Sequence, residues 1–155
     1  MSDEIRHQKV LELYRMKPDP DEYAAIRKLW KDHSIAEDAR DIPGLIATLT
    51  DDCVYELVQS GHKWEGHAGA ERFYTEFLTA FPDVEFNLTY IVIGPQGVYE
   101  EADAHGTFTE DWLGYKAHGK HVHWKVTILF PWDPEKKLFT GERVFTNGDD
   151  YMLPD

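Results

Sequence analysis

Residues 118–130 read HGKHVHWKVTILF: three histidines within six positions, then a run that is almost wholly apolar. A β-strand turns successive side chains to opposite faces. Val122, Trp124, Val126, Ile128 and Phe130 therefore form one row, and His121, His123 and Lys125 the other. The apolar row is expected to face the core, with the histidines turned out. Two residues one step apart on the same side of a strand can chelate an ion if a third ligand joins them, for example His105 from a neighbouring strand. The alternative is a solvated or partner-facing surface. The expectation adopted is that no metal is held.

The neighbouring segments extend this strand into a sheet. LFTGERVFTN (138–147) follows through DPEKK and predicts an antiparallel pairing with 121–132. Upstream, VEFNLTYIVI (84–93) and VYEEADAHGTFT (98–109) flank GPQG, a hairpin signal. DCVYELV (52–58) reads as a shorter strand.

Helical spacing dominates the first half. Residues 3–16 carry Val10, Leu13 and Tyr14 on one side and end at KPDP. Asp19 caps a second helix, with Pro20 in its first turn. Steps of three and four bring Tyr23, Ile26, Trp30, His33 and Glu37 to one face of it. Asp41 caps a third helix over IPGLIATLT (42–50), striped by Ile42, Leu45, Ile46 and Leu49. A fourth, 67–81, aligns Ala70, Phe73, Tyr74, Phe77 and Phe81. Helices followed by long strands predict an α+β domain, with helices on one face of a curved, mainly antiparallel sheet.

At 155 residues the chain has the length of one domain with a proper core. The formal charge of −13 repels nucleic acid and acidic membranes, so neither is expected as a partner. Cys53 is the one cysteine, which removes an internal disulfide and a cysteine zinc site. MSDEIRHQKV lacks the basic-then-apolar order of a signal peptide, and no stretch approaches membrane-spanning length. A cytoplasmic domain is expected. The sequence contains no glycine-rich phosphate loop, nucleophile elbow or paired-carboxylate motif.

DARDIPGLIATLTDDCVYEL (38–57), followed by WEGHAGAERFYTEFLTAFPDVEF (64–86), resembles the SnoaL-like polyketide cyclases of the nuclear transport factor 2-like superfamily. The matching features are Asp51–Asp52, Gly66, Phe73–Tyr74 and the exit Phe81-Pro82-Asp83. LFTGERVFTN resembles the family's last strand, with Glu142–Arg143 before an aromatic. The resemblance covers about residues 24–147 of a single domain spanning 1–155, and leaves the helix within 1–20 as an addition. It implies a cone-shaped fold with a deep apolar pocket, dimers paired through the outer sheet face, and cofactor-free acid/base catalysis on small hydrophobic molecules.

It also implies roles for residues. The pocket acids of the related ketosteroid isomerases fall at Leu57 and Ile128, so steroid isomerisation is not expected. His33 falls where those enzymes carry a hydrogen-bonding tyrosine, and a histidine there can serve as acid or base. Registering alternation on Ile128 turns Phe139, Gly141, Arg143 and Phe145 inward and Glu142 outward. Arg143 then becomes an electrostatic clamp for a substrate anion, or else the partner of a core carboxylate such as Glu37. Trp30, Tyr55, Tyr74, Trp124, Ile128 and Phe145 are expected to line the pocket, with Trp112 over its mouth. The expected function is a cofactor-independent enzyme of cyclase, isomerase or hydrolase type. A non-catalytic binder of a small hydrophobic ligand and a dimeric interaction module are the alternatives.

Overall fold

The computed structural model describes residues 3–154; residues 1, 2 and 155, which the expected domain span includes, lie outside the described residues. Helices α1 (Asp3–Arg15), α2 (Pro20–Asp38) and α3 (Ile42–Ile46) lead into β1 (Leu49–Leu57) and β2 (His62–Glu65). Then come α4 (Gly66–Ala80), β3 (Glu85–Gly94), β4 (Gly97–Thr107), β5 (His121–Asp133) and β6 (Leu138–Thr146). The expected α+β class is what forms. The six strands make one sheet in the order β2-β1-β6-β5-β4-β3, antiparallel except for the parallel β1–β6 pair.

The helix starts follow from their caps. Asp19 accepts the Glu22 amide at 2.8 Å and Asp41 that of Gly44 at 3.1 Å, each with proline in the first turn. Helix α3 is shorter than its apolar spacing predicts. It stops at Ile46, and Leu49 is buried as the first residue of β1 rather than as a helical one. Pairing of Leu49 with Phe139 on β6 competes with another helical turn and wins. Strand β2, four residues with too short an alternation to mark it in the sequence, pairs back onto β1 through Tyr55 and Trp64. Helix α1 packs little: Val10 and Tyr14 remain 61% and 82% exposed.

Helices α2 and α4 cover the inner face of the sheet. There Ile26, Tyr55, Phe73, Phe81, Phe108, Phe130 and Phe139 form a continuous apolar cluster. On β5 the alternation holds: Trp124, Val126, Ile128 and Phe130 are buried, while His121 and His123 are exposed.

On β6 it breaks. The step from Leu129 to Trp132 spans three residues of β5, but their partners Arg143 and Phe139 are four apart, so β6 carries a bulge. Gly141 sits in it at φ 126°, with its backbone so close to β1 that a Cβ would come within 1.9 Å of the Val54 carbonyl oxygen. The inserted residue inverts the faces beyond it. Phe139 points inward as expected, but Glu142 and Val144 are buried while Arg143 and Phe145 are exposed, the reverse of the alternation reading.

Candidate functional site

Four elements meet at His33. The ring is 2% exposed, set by α2 between Phe130 and Phe139. Its Nδ1 lies 2.8 Å from Thr48 Oγ1, and that hydroxyl donates its own hydrogen to the Leu45 carbonyl at 2.7 Å. The Thr48 oxygen must therefore accept from His33, which places the ring hydrogen on Nδ1 and leaves Nε2 with a free lone pair. Tyr74 OH is 3.2 Å from Nε2, and Tyr55 OH is 2.6 Å from Tyr74 OH. The single Tyr74 hydrogen therefore stands within reach of both the Nε2 lone pair and Glu142, with Tyr55 hydrogen-bonded behind it.

The same nitrogen lies 3.3 Å from Glu142 Oε1, a buried oxygen that makes no hydrogen bond. Two acceptors at this separation repel unless a proton or a cation lies between them. Glu37, one helical turn beyond His33, turns its carboxyl toward the same point. Ligand atoms of His33, Glu37 and Glu142 all lie within 4.8 Å of one another, close enough to share a proton or hold an ion. Glu100 is a second buried carboxyl beside the half-buried Glu37, and it accepts from Trp30 Nε1 at 2.9 Å.

Burial sets the protonation of this group. It pushes the Glu142 carboxyl up to about 8, against the pull of the Tyr74 hydroxyl. Glu37 also rises to about 8, through burial and then the Glu142 charge. Glu100 rises to about 7 for the same two reasons, with Trp30 opposing. Burial lowers His33, against the nearby Glu37 and Glu100 charges. It also holds the Tyr55 and Tyr74 hydroxyls well above the usual phenol range, so both remain donors. Neutral carboxyls beside a neutral imidazole are an acid/base array without a fixed charge.

This array borders a narrow cavity of ≈ 40 Å³. Space of that size holds a water or two rather than an organic molecule. The deep apolar pocket implied by the resemblance is therefore reduced to a remnant, because Phe73, Phe77, Trp112, Trp124 and Tyr151 fill the cone. Of the residues expected to line it, Tyr74, Trp124 and Ile128 do so. Tyr55 lies just behind, bonded to Tyr74, and Trp30 reaches the site through Glu100. Trp112 closes one side, its indole donating to Glu76 at 3.4 Å.

Arg143 and Phe145 are absent from the site. The bulge in β6 turns both to the outer face, where the guanidinium stands 5.5 Å above the Phe145 ring and 3.8 Å from Glu56. The clamp role fails with that orientation, and so does the alternative pairing of Arg143 with Glu37. Glu142 is the residue the alternation reading missed, since the bulge that buries it has no clear mark beyond a glycine. Glu37 was legible four residues after His33 on the same helical face. Nothing in the sequence links Thr48 or Glu100 to them.

The family model described as SnoaL-like polyketide cyclase matches residues 24–136. Solved structures share the fold at low identity. A candidate SnoaL-like polyketide cyclase from Jannaschia sp. CCS1 is 19% identical, with a TM-score of 0.68 over 85% of this chain and 91% of that one. A candidate polyketide cyclase from Xanthomonas campestris pv. campestris is 18% identical, with a TM-score of 0.67 over 84% and 96%. Bal32a, from a soil-derived mobile gene cassette, is 10% identical, with a TM-score of 0.68 over 85% and 99%. No curated protein matches the sequence.

Proposed function

We propose, given that the chain belongs to the SnoaL-like polyketide cyclase family, that it is a cofactor-independent enzyme moving a proton on a small hydrophobic carbonyl compound. The observation that carries this reading is the buried contact between His33 Nε2 and Glu142 Oε1, 3.3 Å apart and each an acceptor. A proton held there is available for transfer. A carboxyl that titrates at about 8 has a base strength suited to near-neutral catalysis. When ionised it takes a proton from the carbon beside the carbonyl. The Tyr74 hydroxyl donates to the enolate oxygen that forms, and the protonated carboxyl returns the proton to carbon. Substrate entry requires the Trp112 loop to swing away from the cavity, since ≈ 40 Å³ admits no such molecule.

Proton exchange tests this without knowing the substrate. The protein is incubated in heavy water with a panel of cyclic and aromatic ketones and 1,3-diketones, and deuterium uptake beside the carbonyl is followed by NMR. Uptake on at least one member, lost in folded Glu142→Gln and His33→Phe, is the expected result. Uptake on none, or uptake unchanged in both variants, overturns the proposal.

A second reading concerns assembly. Tyr90, Val92, Tyr99 and Phe145 are exposed, and cross-strand register carries them over the outer face of β3, β4 and β6. An apolar row of this kind favours a homodimer through that face. Light scattering that gives a monomer at high micromolar concentration would refute it.

A further inference from the structure

We infer that the outer face of the sheet carries a binding site for a zinc-class divalent transition metal, formed by His105, His121 and His123. His105 stands opposite His123 in the β4–β5 register, and His121 is one row away, opposite Thr107. His105 Nδ1 and His121 Nε2 are 3.1 Å apart. Two nitrogens bound to one tetrahedral zinc are separated by about 3.3 Å.

Hydrogen bonding on the far side of each ring decides what these nitrogens carry. Thr107 Oγ1 donates its hydrogen to Asp83 Oδ2 at 2.7 Å, so at 3.1 Å from His121 Nδ1 it can only accept. That puts the His121 hydrogen on Nδ1 and leaves the Nε2 lone pair aimed at His105. Asp83 Oδ2 is itself 3.5 Å from the same Nδ1. On the other ring, His105 Nδ1 donates to that Nε2 lone pair, and its own Nε2 lies 3.4 Å from Glu85 Oε2; a bound ion would displace the Nδ1 hydrogen to Nε2, where the carboxylate can accept it. His105 and His121 thus turn one nitrogen toward each other and the other toward a carboxylate. Metal-binding histidines are oriented and made more basic in this way.

The third ring stands beside the other two, although its nitrogens do not reach their shared point in this conformation. The three ring centres are 5.2, 5.5 and 5.4 Å apart, a nearly equilateral triangle. Imidazoles around one tetrahedral ion have centres about 5.2 Å apart. His123 is exposed and makes ring contacts with the other two, and ion binding requires rotation about its side-chain torsions to carry a nitrogen to the shared point. Imidazole-only ligation selects zinc, nickel or copper over magnesium and calcium. The site faces away from the cavity, which leaves the fourth coordination position open to water and gives the ion a bracing role across β4 and β5.

The test uses the full chain without an affinity tag, stripped of metal by chelator. Zinc is titrated by calorimetry, cobalt(II) by its visible absorption, and thermal melts are recorded with and without each ion. The expected result is one ion per chain, an intense tetrahedral cobalt spectrum and a raised Tm. Asp83→Asn should weaken binding about 10–100-fold. His105→Asn, His121→Asn and His123→Asn should each weaken it at least as much, while leaving the metal-free melt unchanged. Glu142→Gln should not alter it. Binding lost in Glu142→Gln but kept in the histidine variants would assign the ion to the buried cluster and overturn the proposal. So would several weak equivalents with an octahedral cobalt spectrum, the mark of adventitious surface binding.

Discussion

Thr48 fixes the tautomer of His33: its hydroxyl is spent on the Leu45 carbonyl, so at 2.8 Å it can only accept the Nδ1 hydrogen. The lone pair on Nε2, and with it the unpaired contact to Glu142, follows from that one bond.

Replacing Thr48 with valine should release the ring. The Nδ1 hydrogen would lose its buried acceptor, at a cost of about 1–3 kcal/mol. The hydrogen should then move to Nε2, where Glu142 can accept it. Nitrogen-15 chemical shifts of the imidazole distinguish the two tautomers, and a spectrum unchanged in the variant would mean Thr48 does not set the form.

Stability should fall as pH rises from about 6.5 to 8. Glu37 and Glu142 have an ordinary value of 4.5 and titrate in the folded protein at about 8. Between these values the native state keeps protons that the unfolded chain has lost, so raising the pH favours unfolding. The lowered His33 acts in the opposite sense, but only as pH falls through its ordinary value of 6.5. Urea midpoints across pH 6.5–9 measure the slope. Glu142→Gln should flatten it, and a slope of opposite sign would remove the protonated carboxyls from the account.

Arg143→Met should change stability by no more than about 0.5 kcal/mol, because the guanidinium is solvent-exposed and its partner Glu56 lies 3.8 Å away. It should also leave proton exchange in the cavity intact. A large loss in either would restore the clamp role that the bulge removes.

Gly141→Ala should cost at least about 2 kcal/mol, since alanine at φ 126° is strained and its Cβ would overlap the Val54 carbonyl. If β6 relieved the clash by losing the bulge, Glu142 would turn outward. The pH slope described above would then weaken together with Tm.

Much of the architecture was legible from local pattern. Asp19 and Asp41 announced their helices, GPQG its hairpin, and the apolar row of β5 its inner face, because capping, turn chemistry and alternation depend on near neighbours. His33 could be set on a buried helical face for the same reason. Helix α3 was overextended at its end, where strand pairing outweighs apolar spacing.

The sequence by itself determined the α+β class, the family, the inward rows of α2, α4 and β5, and the outward turn of His121 and His123. The tertiary structure decided the site. Whether β6 shows Glu142 or Arg143 to the core depends on one extra residue, and that residue is accommodated only because Gly141 lets β1 approach. The carboxyls of Glu37, Glu100 and Glu142 come from three distant segments, and their raised pKa values exist only once folding withdraws them together from water. Desolvation and long-range register are properties of the packed chain, and no local spacing encodes them.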